Sequence, residues 1–395
     1  MPFVLVNGRV LTGDGEVFDS ACVVVEKDRI MDVLTDREAL SPDWKQLDAS
    51  NHTIMPGLID SHVHMCLNGS ADPLNLASKM NLPALTLLAA SQAEKTLKAG
   101  ITTVRDLGGV DGVDLAVRDA INKGEIKGPR MLVSGKPLCI TGGHGWLMGR
   151  EADGADDFRK AAREQLKAGA DVVKIISTGG VLTLGVEPGS AQACLEEQKA
   201  AVEEAHKAGR KTASHAQGTQ GILNSLKAGI DSIEHGFFLN DESIELMRTN
   251  KVYLVPTIAA LTFIADKGVE SGIPAPFVEK ARNVREAHKK SIQRAKESGV
   301  PIAMGTDAGT PFNLHGENAF ELKLMVDYGF TAHEAIIAAT SQAARLLGQE
   351  GDLGVVAKGK QADLLLVKGD PLKDVELLSR SENITTVFKA GEPVR

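Results

Sequence analysis

Six side chains stand out by type and position. His62 and His64 are separated by one residue in Asp60-Ser-His-Val-His-Met65. On an extended strand alternate residues share a face, so both imidazoles can reach one ion. His215 ends a short apolar run in Ala213-Ser-His-Ala-Gln-Gly218, His235 ends another in Ile233-Glu-His-Gly236, and Asp307 lies in Met304-Gly-Thr-Asp-Ala-Gly309. Imidazole nitrogens with a carboxylate suit zinc and its first-row neighbours, whereas magnesium or calcium favours oxygen ligands. A lone His-x-His is weak, because ordinary surface or core histidines match it; the full set at strand ends is much harder to reach by accident. The sixth residue, Lys174, interrupts the apolar Val172-Val-Lys-Ile-Ile176. A buried ammonium costs free energy unless it is paired or neutralised. Two readings stand: Lys174 snorkels to a rim or pairs with Glu234 or Asp106, or its neutral amine captures carbon dioxide and the carbamate bridges two metals.

These residues need strands that end together. Apolar residues three or four apart predict helices at Leu85/Ala89/Ala93/Leu97, Phe158/Ala162/Leu166, Ala201/Ala205/Ala208 and Ala335/Ala339/Ala343/Leu347. Lys-Ala-Gly closes four helical segments, at Gly100, Gly169, Gly209 and Gly229, placing a cation and a cap-forming glycine at each carbonyl end. Candidate strands lie at 53–60, 102–105, 130–133, 171–176, 211–214, 232–234, 252–255 and 301–304. Eight strands alternating with helices predict an α/β chain with a (β/α)₈ TIM barrel, whose chemistry sits at the C-terminal strand ends. The competing doubly wound sheet lacks a Gly-x-Gly-x-x-Gly after its first strand and a P-loop. Short strands at both ends of the chain, with Gly- and Asp-rich turns between them, predict one small β-sandwich built from both termini. The expected division is 1–56 with 352–395 for the sandwich and 57–351 for the barrel.

The chain has 395 residues, 52 acidic and 44 basic, for a net charge of −8. Mild acidity argues against nucleic acid and against a polybasic membrane-binding surface. No apolar run approaches the ~20 residues that cross a bilayer, and Met1–Val10 does not read as a secretory leader. Four cysteines, at 22, 66, 139 and 194, lie far apart with no Cys-x-x-Cys, so the expected compartment is the reducing cytoplasm. Two tryptophans and two tyrosines disfavour a stacking platform for bases or sugars.

His62 and His64, Lys174, His215, His235 and Asp307, in that order on those strands, resemble the amidohydrolase superfamily across nearly the whole chain. Thr141-Gly-Gly-His-Gly145, Lys174-Ile-Ile-Ser-Thr-Gly-Gly180, His235-Gly, Gly305-Thr-Asp-Ala-Gly309 and His315-Gly-Glu-Asn318 are similar to its imidazolonepropionase-related group. That group includes Xaa-Pro and basic-residue dipeptidases or carboxypeptidases and ochratoxin-hydrolysing amidases. The resemblance implies two divalent ions, with zinc expected. His62, His64 and Asp307 would hold the more buried ion, His215 and His235 the more exposed one, and N-carboxylated Lys174 would bridge them with a hydroxide nucleophile. Asp307 would move the proton from that hydroxide to the leaving amine, and His144 would donate a hydrogen bond to a substrate carbonyl or carboxylate. Lys174 argues against the mononuclear members, which lack a bridging lysine.

The remaining candidates carry alternatives. His144 also reads as a solvent-facing turn histidine. Arg150 could grip a substrate carboxylate or form a surface salt bridge. Gln217 stands where some dipeptidase relatives have Tyr or His, which removes an ionisable contact. His315 reaches the pocket or supports the start of a helix. His206, His288 and His333, on charged helical stretches, read as solvent-facing. The expected activity is hydrolysis of an amide bond in a dipeptide or N-acyl amino acid, by a homo-oligomer acting on small molecules. The same ligands would serve a cyclic amide, lactone or ester, and a non-catalytic scaffold would have lost ligands that are all present here.

Overall fold

The computed structural model describes residues 2–36 and 40–395, and the chain divides into two compact units. The first contains residues 1–60, 94–103 and 316–395. Among the described residues it carries an eight-stranded sheet. Its N-terminal strands are Phe3–Leu11, Val17–Glu26, Arg29–Leu34, Lys45–Asp48 and His52–Pro56; its C-terminal ones are Leu364–Lys368, Ile384–Lys389 and Glu392–Pro393. The two ends of the chain meet where Leu364–Lys368 pairs antiparallel with His52–Pro56, from Leu364 opposite Pro56 to Lys368 opposite His52. The uninterrupted apolar run at 21–25 follows from burial on both faces. Val23 and Val25 pack with Leu5 and Ile54 on one side, and Cys22 and Val24 pack with Val4 and Val6 on the other.

The second unit, 61–93 with 104–315, holds the parallel strands. Leu107 N–H donates to the Val63 carbonyl at 3.0 Å, Ser134 to Asp106 at 3.0 Å and Asp171 to Val133 at 2.8 Å, linking the first four strands in order. Val172–Ile176, Lys211–Ala216, Ser232–His235 and Tyr253–Val255 continue in parallel register. The circle closes through parallel bridges of Ile302 with Leu254 and of Ala308 with Val63. Ser61 N–H also donates to the Met304 carbonyl at 3.0 Å. This is the expected eight-membered barrel, with two differences from the strands read above. The stretch 53–60 is two strands: His52–Pro56 enters the terminal sheet and Leu58–Val63 opens the barrel. They part at Gly57, where a Cβ would sit 2.1 Å from Thr102 Oγ1, too close for any side chain. The segment 301–304 makes only the single bridge at Ile302 and is no extended strand.

The helical periodicities locate well. Leu85, Ala89, Ala93 and Leu97 form the buried stripe of helix Leu82–Lys98. All four Lys-Ala-Gly glycines adopt positive φ, between 68° and 98°. The stretch from Ala335 to Leu347 is two helices, Ala332–Ala338 and Ser341–Leu346. They break at Thr340, whose hydroxyl back-bonds to the Ile336 carbonyl at 2.6 Å. Among the described residues no helix is long and apolar enough to cross a membrane.

His288, read above as solvent-facing, is fully buried on helix Ala275–Glu297, its ring 4.6 Å from that of Phe237. Of its charged neighbours in sequence, Glu286 and Lys290 lie on the exposed far face of the helix, and Arg285 and Lys289 on its flanks. Burial pulls the imidazole down to about 3, against backbone hydrogen bonds at Pro256 and His235. A base depressed in the folded state binds its proton only after unfolding. Its stabilisation is therefore complete above the ordinary value near 6.5 and declines as pH falls from there toward 3. Urea midpoints should drop between pH 7 and pH 4, and His288→Phe should flatten that dependence; an unchanged slope in the variant would contradict the buried neutral state.

Candidate metal centre

The barrel strands and the turns that follow them bring His62, His64, Lys174, His215, His235 and Asp307 into one place. His62 Nε2 lies 3.5 Å and His64 Nε2 3.2 Å from Asp307 Oδ1. The His235 ring is 5.3 Å from His62 and 4.5 Å from His215, and His144 follows 4.3 Å from His215. Ligand-type atoms of His62, His235 and Asp307 all lie within 4.8 Å of one another, a spacing that one metal ion can bridge. Together with Lys174, His144 and Gln217 they line one cavity.

The local backbone is bent to achieve this. His235, Thr257 and Asp307 all have left-handed φ, at 73°, 50° and 60°. Each non-glycine residue held there costs about 1–3 kcal/mol, a strain found where surrounding structure over-determines a site. Around Asp307 the restraints are visible. Its N–H donates to the His62 carbonyl at 2.7 Å, Thr310 Oγ1 donates to its carbonyl at 2.8 Å, and Asn313 Nδ2 donates to the Thr306 carbonyl at 2.7 Å. Thr257 gives its hydroxyl proton to the Pro256 carbonyl at 2.7 Å, so it accepts from His235 Nδ1 at 2.6 Å and leaves His235 Nε2 available. Gly180 lets the barrel backbone approach His144, since a Cβ there would lie 2.4 Å from Nε2.

Electrostatics separate these groups. Burial, reinforced by Lys174, pulls His62 well below the usual imidazole range; His215 and His235 are lowered by burial and by neighbouring histidines. His144 falls to about 3 through burial and the charges of Lys174 and Lys280. Neutral imidazoles are the form that ligates metal. His64 differs: burial opposes its charge, but hydrogen bonding to Asp307 and the nearby carboxylates raise it. Asp307 is lowered despite burial, because His62 and His64 face it. Lys174 is 2% exposed, and burial brings its amine down to about 8 against the pull of Glu234 and Asp307. Neither expected partner neutralises it. Glu234 is engaged by Arg105, Ser232 and His62, and Asp106 accepts from the Met65 and Gly108 N–H groups.

Two candidates lie elsewhere. Arg150 donates to Asp157 and Glu164 and does not line the cavity, in keeping with the salt-bridge alternative. His315 Nε2 donates to the His64 carbonyl at 3.0 Å, bracing the loop behind the site. Gln217 lines the cavity with its Oε1 buried and without a hydrogen-bond partner. Arg105 and Thr257 were not singled out from the sequence. The signal for Arg105 was a charge inside the second strand; nothing local marks Thr257.

The chain and its fold have known counterparts. Residues 53–394 match the amidohydrolase family. An ochratoxinase from Aspergillus niger is 32% identical, with 98% of this chain and 86% of the relative covered. A solved Xaa-Pro dipeptidase with methionine bound in its active site superposes at a TM-score of 0.92 and 34% identity, over 100% of this chain and 99% of the other. A prolidase complexed with N-methylphosphonate-L-proline gives 0.93 at 29% identity, with both chains fully covered. The barrel with its added β domain, the histidine–aspartate cluster at its strand ends and these matches lead to one conclusion: this chain belongs to the amidohydrolase family, as a hydrolase of carbon–nitrogen bonds.

Proposed function

We propose that this chain is a binuclear metal-dependent amidohydrolase that cleaves the amide bond of a dipeptide or an N-acyl amino acid. The observation that carries the reading is Lys174, a buried amine that lines the cavity with five histidines and Asp307, while Glu234 and Asp106, its expected partners, are hydrogen-bonded to other groups. Neutral imidazoles with one carboxylate suit zinc. His62, His64 and Asp307 would hold the more buried ion, His215 and His235 the more exposed one, and Lys174, carboxylated by carbon dioxide, would link them. Bound there, the ions would bring the pKa of a shared water toward neutrality and polarise the scissile carbonyl.

The remaining steps belong to the chain. Asp307 takes the proton of the attacking water and returns it to the leaving amine. His144, with Nδ1 against Thr183 Oγ1 at 2.8 Å, turns Nε2 to the carbonyl oxygen. Gln217 Oε1, an unpartnered buried acceptor, is suited to a substrate N–H, because leaving it unpaired carries a desolvation penalty. Beyond the cavity a groove includes Trp146, Leu147, Leu184 and Phe277, and it shares Leu74, Gly145 and Leu182 with the cavity. Such walls favour a bulky apolar substituent. Relatives named ochratoxinase and Xaa-Pro dipeptidase support this substrate range, and four free cysteines support a reducing compartment.

Zinc-loaded protein prepared with bicarbonate should release amines from a library of dipeptides and N-acyl amino acids, with apolar or aromatic members fastest. Silence with metal bound would move the assignment to cyclic amides, lactones or esters. Lys174→Ala should lower metal content and turnover together, and full metal with normal turnover would remove the bridging role. Asp307→Asn should slow turnover by about 10²–10⁴-fold with unchanged circular dichroism; a near-normal rate rules out its proton-carrying role.

A further inference from the structure

Behind the histidines, outside the lining of the cavity, runs a chain of buried polar groups that the proposed reaction does not use. Glu234, fully buried, sits one residue before the end of the sixth barrel strand, and Arg105, 1% exposed, sits one residue before the end of the second. Arg105 Nη2 donates to Glu234 Oε1 at 2.9 Å, and Ser232 Oγ donates to the same oxygen at 2.6 Å. Arg105 Nε also donates to the Ser61 carbonyl at 2.7 Å, and its Nη1 reaches Ser232 Oγ at 3.1 Å. The other carboxylate oxygen, Glu234 Oε2, lies 2.8 Å from His62 Nδ1.

An ionised carboxylate only accepts hydrogen bonds. Facing the guanidinium of Arg105, Glu234 is held as an acceptor, so the proton between it and His62 must sit on Nδ1. The lone pair of His62 is then on Nε2, the atom 3.5 Å from Asp307 Oδ1. We propose that Glu234, clamped by Arg105 and Ser232, is a positioning residue that sets the tautomer and ring orientation of His62, so that Nε2 is presented for metal binding. The metal half of this statement rests on the function proposed above; the tautomer half does not. A buried charge pair with a purely structural role would leave the tautomer of His62 unspecified.

The test begins with the metal-free, full-length chain labelled with ¹⁵N-histidine, the His62 signals being assigned by their loss in His62→Gln. Long-range proton–nitrogen correlations should show His62 protonated on Nδ1. Glu234→Gln, which can present an amide N–H to the ring in place of the acceptor, should populate the other tautomer. It should also weaken zinc binding, measured by chelator competition, by about 10–100-fold, and change the visible spectrum of the cobalt-substituted protein. His62 protonated on Nε2 in the wild-type chain would overturn the proposal, and so would wild-type tautomer and zinc affinity in Glu234→Gln. If that variant does not fold, the wild-type spectrum alone decides. An Nδ1–H tautomer in a wild-type chain that binds no metal would leave the hold of Glu234 on His62 standing and overturn the metal reading instead.

Discussion

The order of the site depends on one buried ion pair, Arg105 with Glu234. Neither charge has access to water, and taking two charges out of water is costly unless geometry and further hydrogen bonds compensate. Here they do: the guanidinium is shared among Glu234, Ser232 and the Ser61 carbonyl, and the carboxylate among Arg105, Ser232 and His62. The pair ties the second and sixth strands to the first at the level where His62 emerges. Removing one partner of such a pair costs about 3–5 kcal/mol, a large share of the 5–15 kcal/mol by which domains are stable.

On the cavity side the same low dielectric acts in the opposite sense. Four imidazoles, those of His62, His144, His215 and His235, are kept neutral because burial and each other's proximity penalise a proton. His64 alone is pushed toward its charged form, through the carboxylate of Asp307. Asp307, lowered by the histidines around it, remains an anion. The result is a basin in which four imidazoles present lone pairs, while His64 and the Lys174 amine are the groups that still hold protons near neutrality. The left-handed residues His235, Thr257 and Asp307 lie at the rims of consecutive barrel elements, so the strain is concentrated where the side chains must leave the strand direction and turn inward.

The apolar walls give the site a second character. Outside the polar floor, the cavity and its adjoining groove are lined mainly by leucines, isoleucine, valine, phenylalanine and Trp146. Once the strand-end cluster is set aside, the polar groups of the cavity lining are His144, Gln217 and the hydroxyls of Thr257 and Thr310. Orientation by a small number of hydrogen bonds against an apolar surface is the usual economy of small-molecule sites.

Much of this was legible from the chain alone. Residue type and two-residue spacing marked His62 and His64; apolar runs and Lys-Ala-Gly caps marked the strands and helices that carry the other ligands. Those signals are local, depending on backbone periodicity and on the conformational freedom of glycine, which is why they survive without coordinates. Other features are relations between distant residues and have no local signature. His288 looked exposed because its sequence neighbours are charged, yet the helix turns it against Phe237. Arg150 fitted a substrate contact or a surface salt bridge equally, and the fold chose the salt bridge by bringing Asp157 and Glu164 beside it. Glu234 and Asp106 both stood open as partners for Lys174, and only the packing of barrel strands committed them elsewhere. Sequence by itself determined which side chains could do chemistry and on which strands they lie; tertiary structure decided their partners, because a charge buried in low dielectric takes its state from neighbours hundreds of residues away.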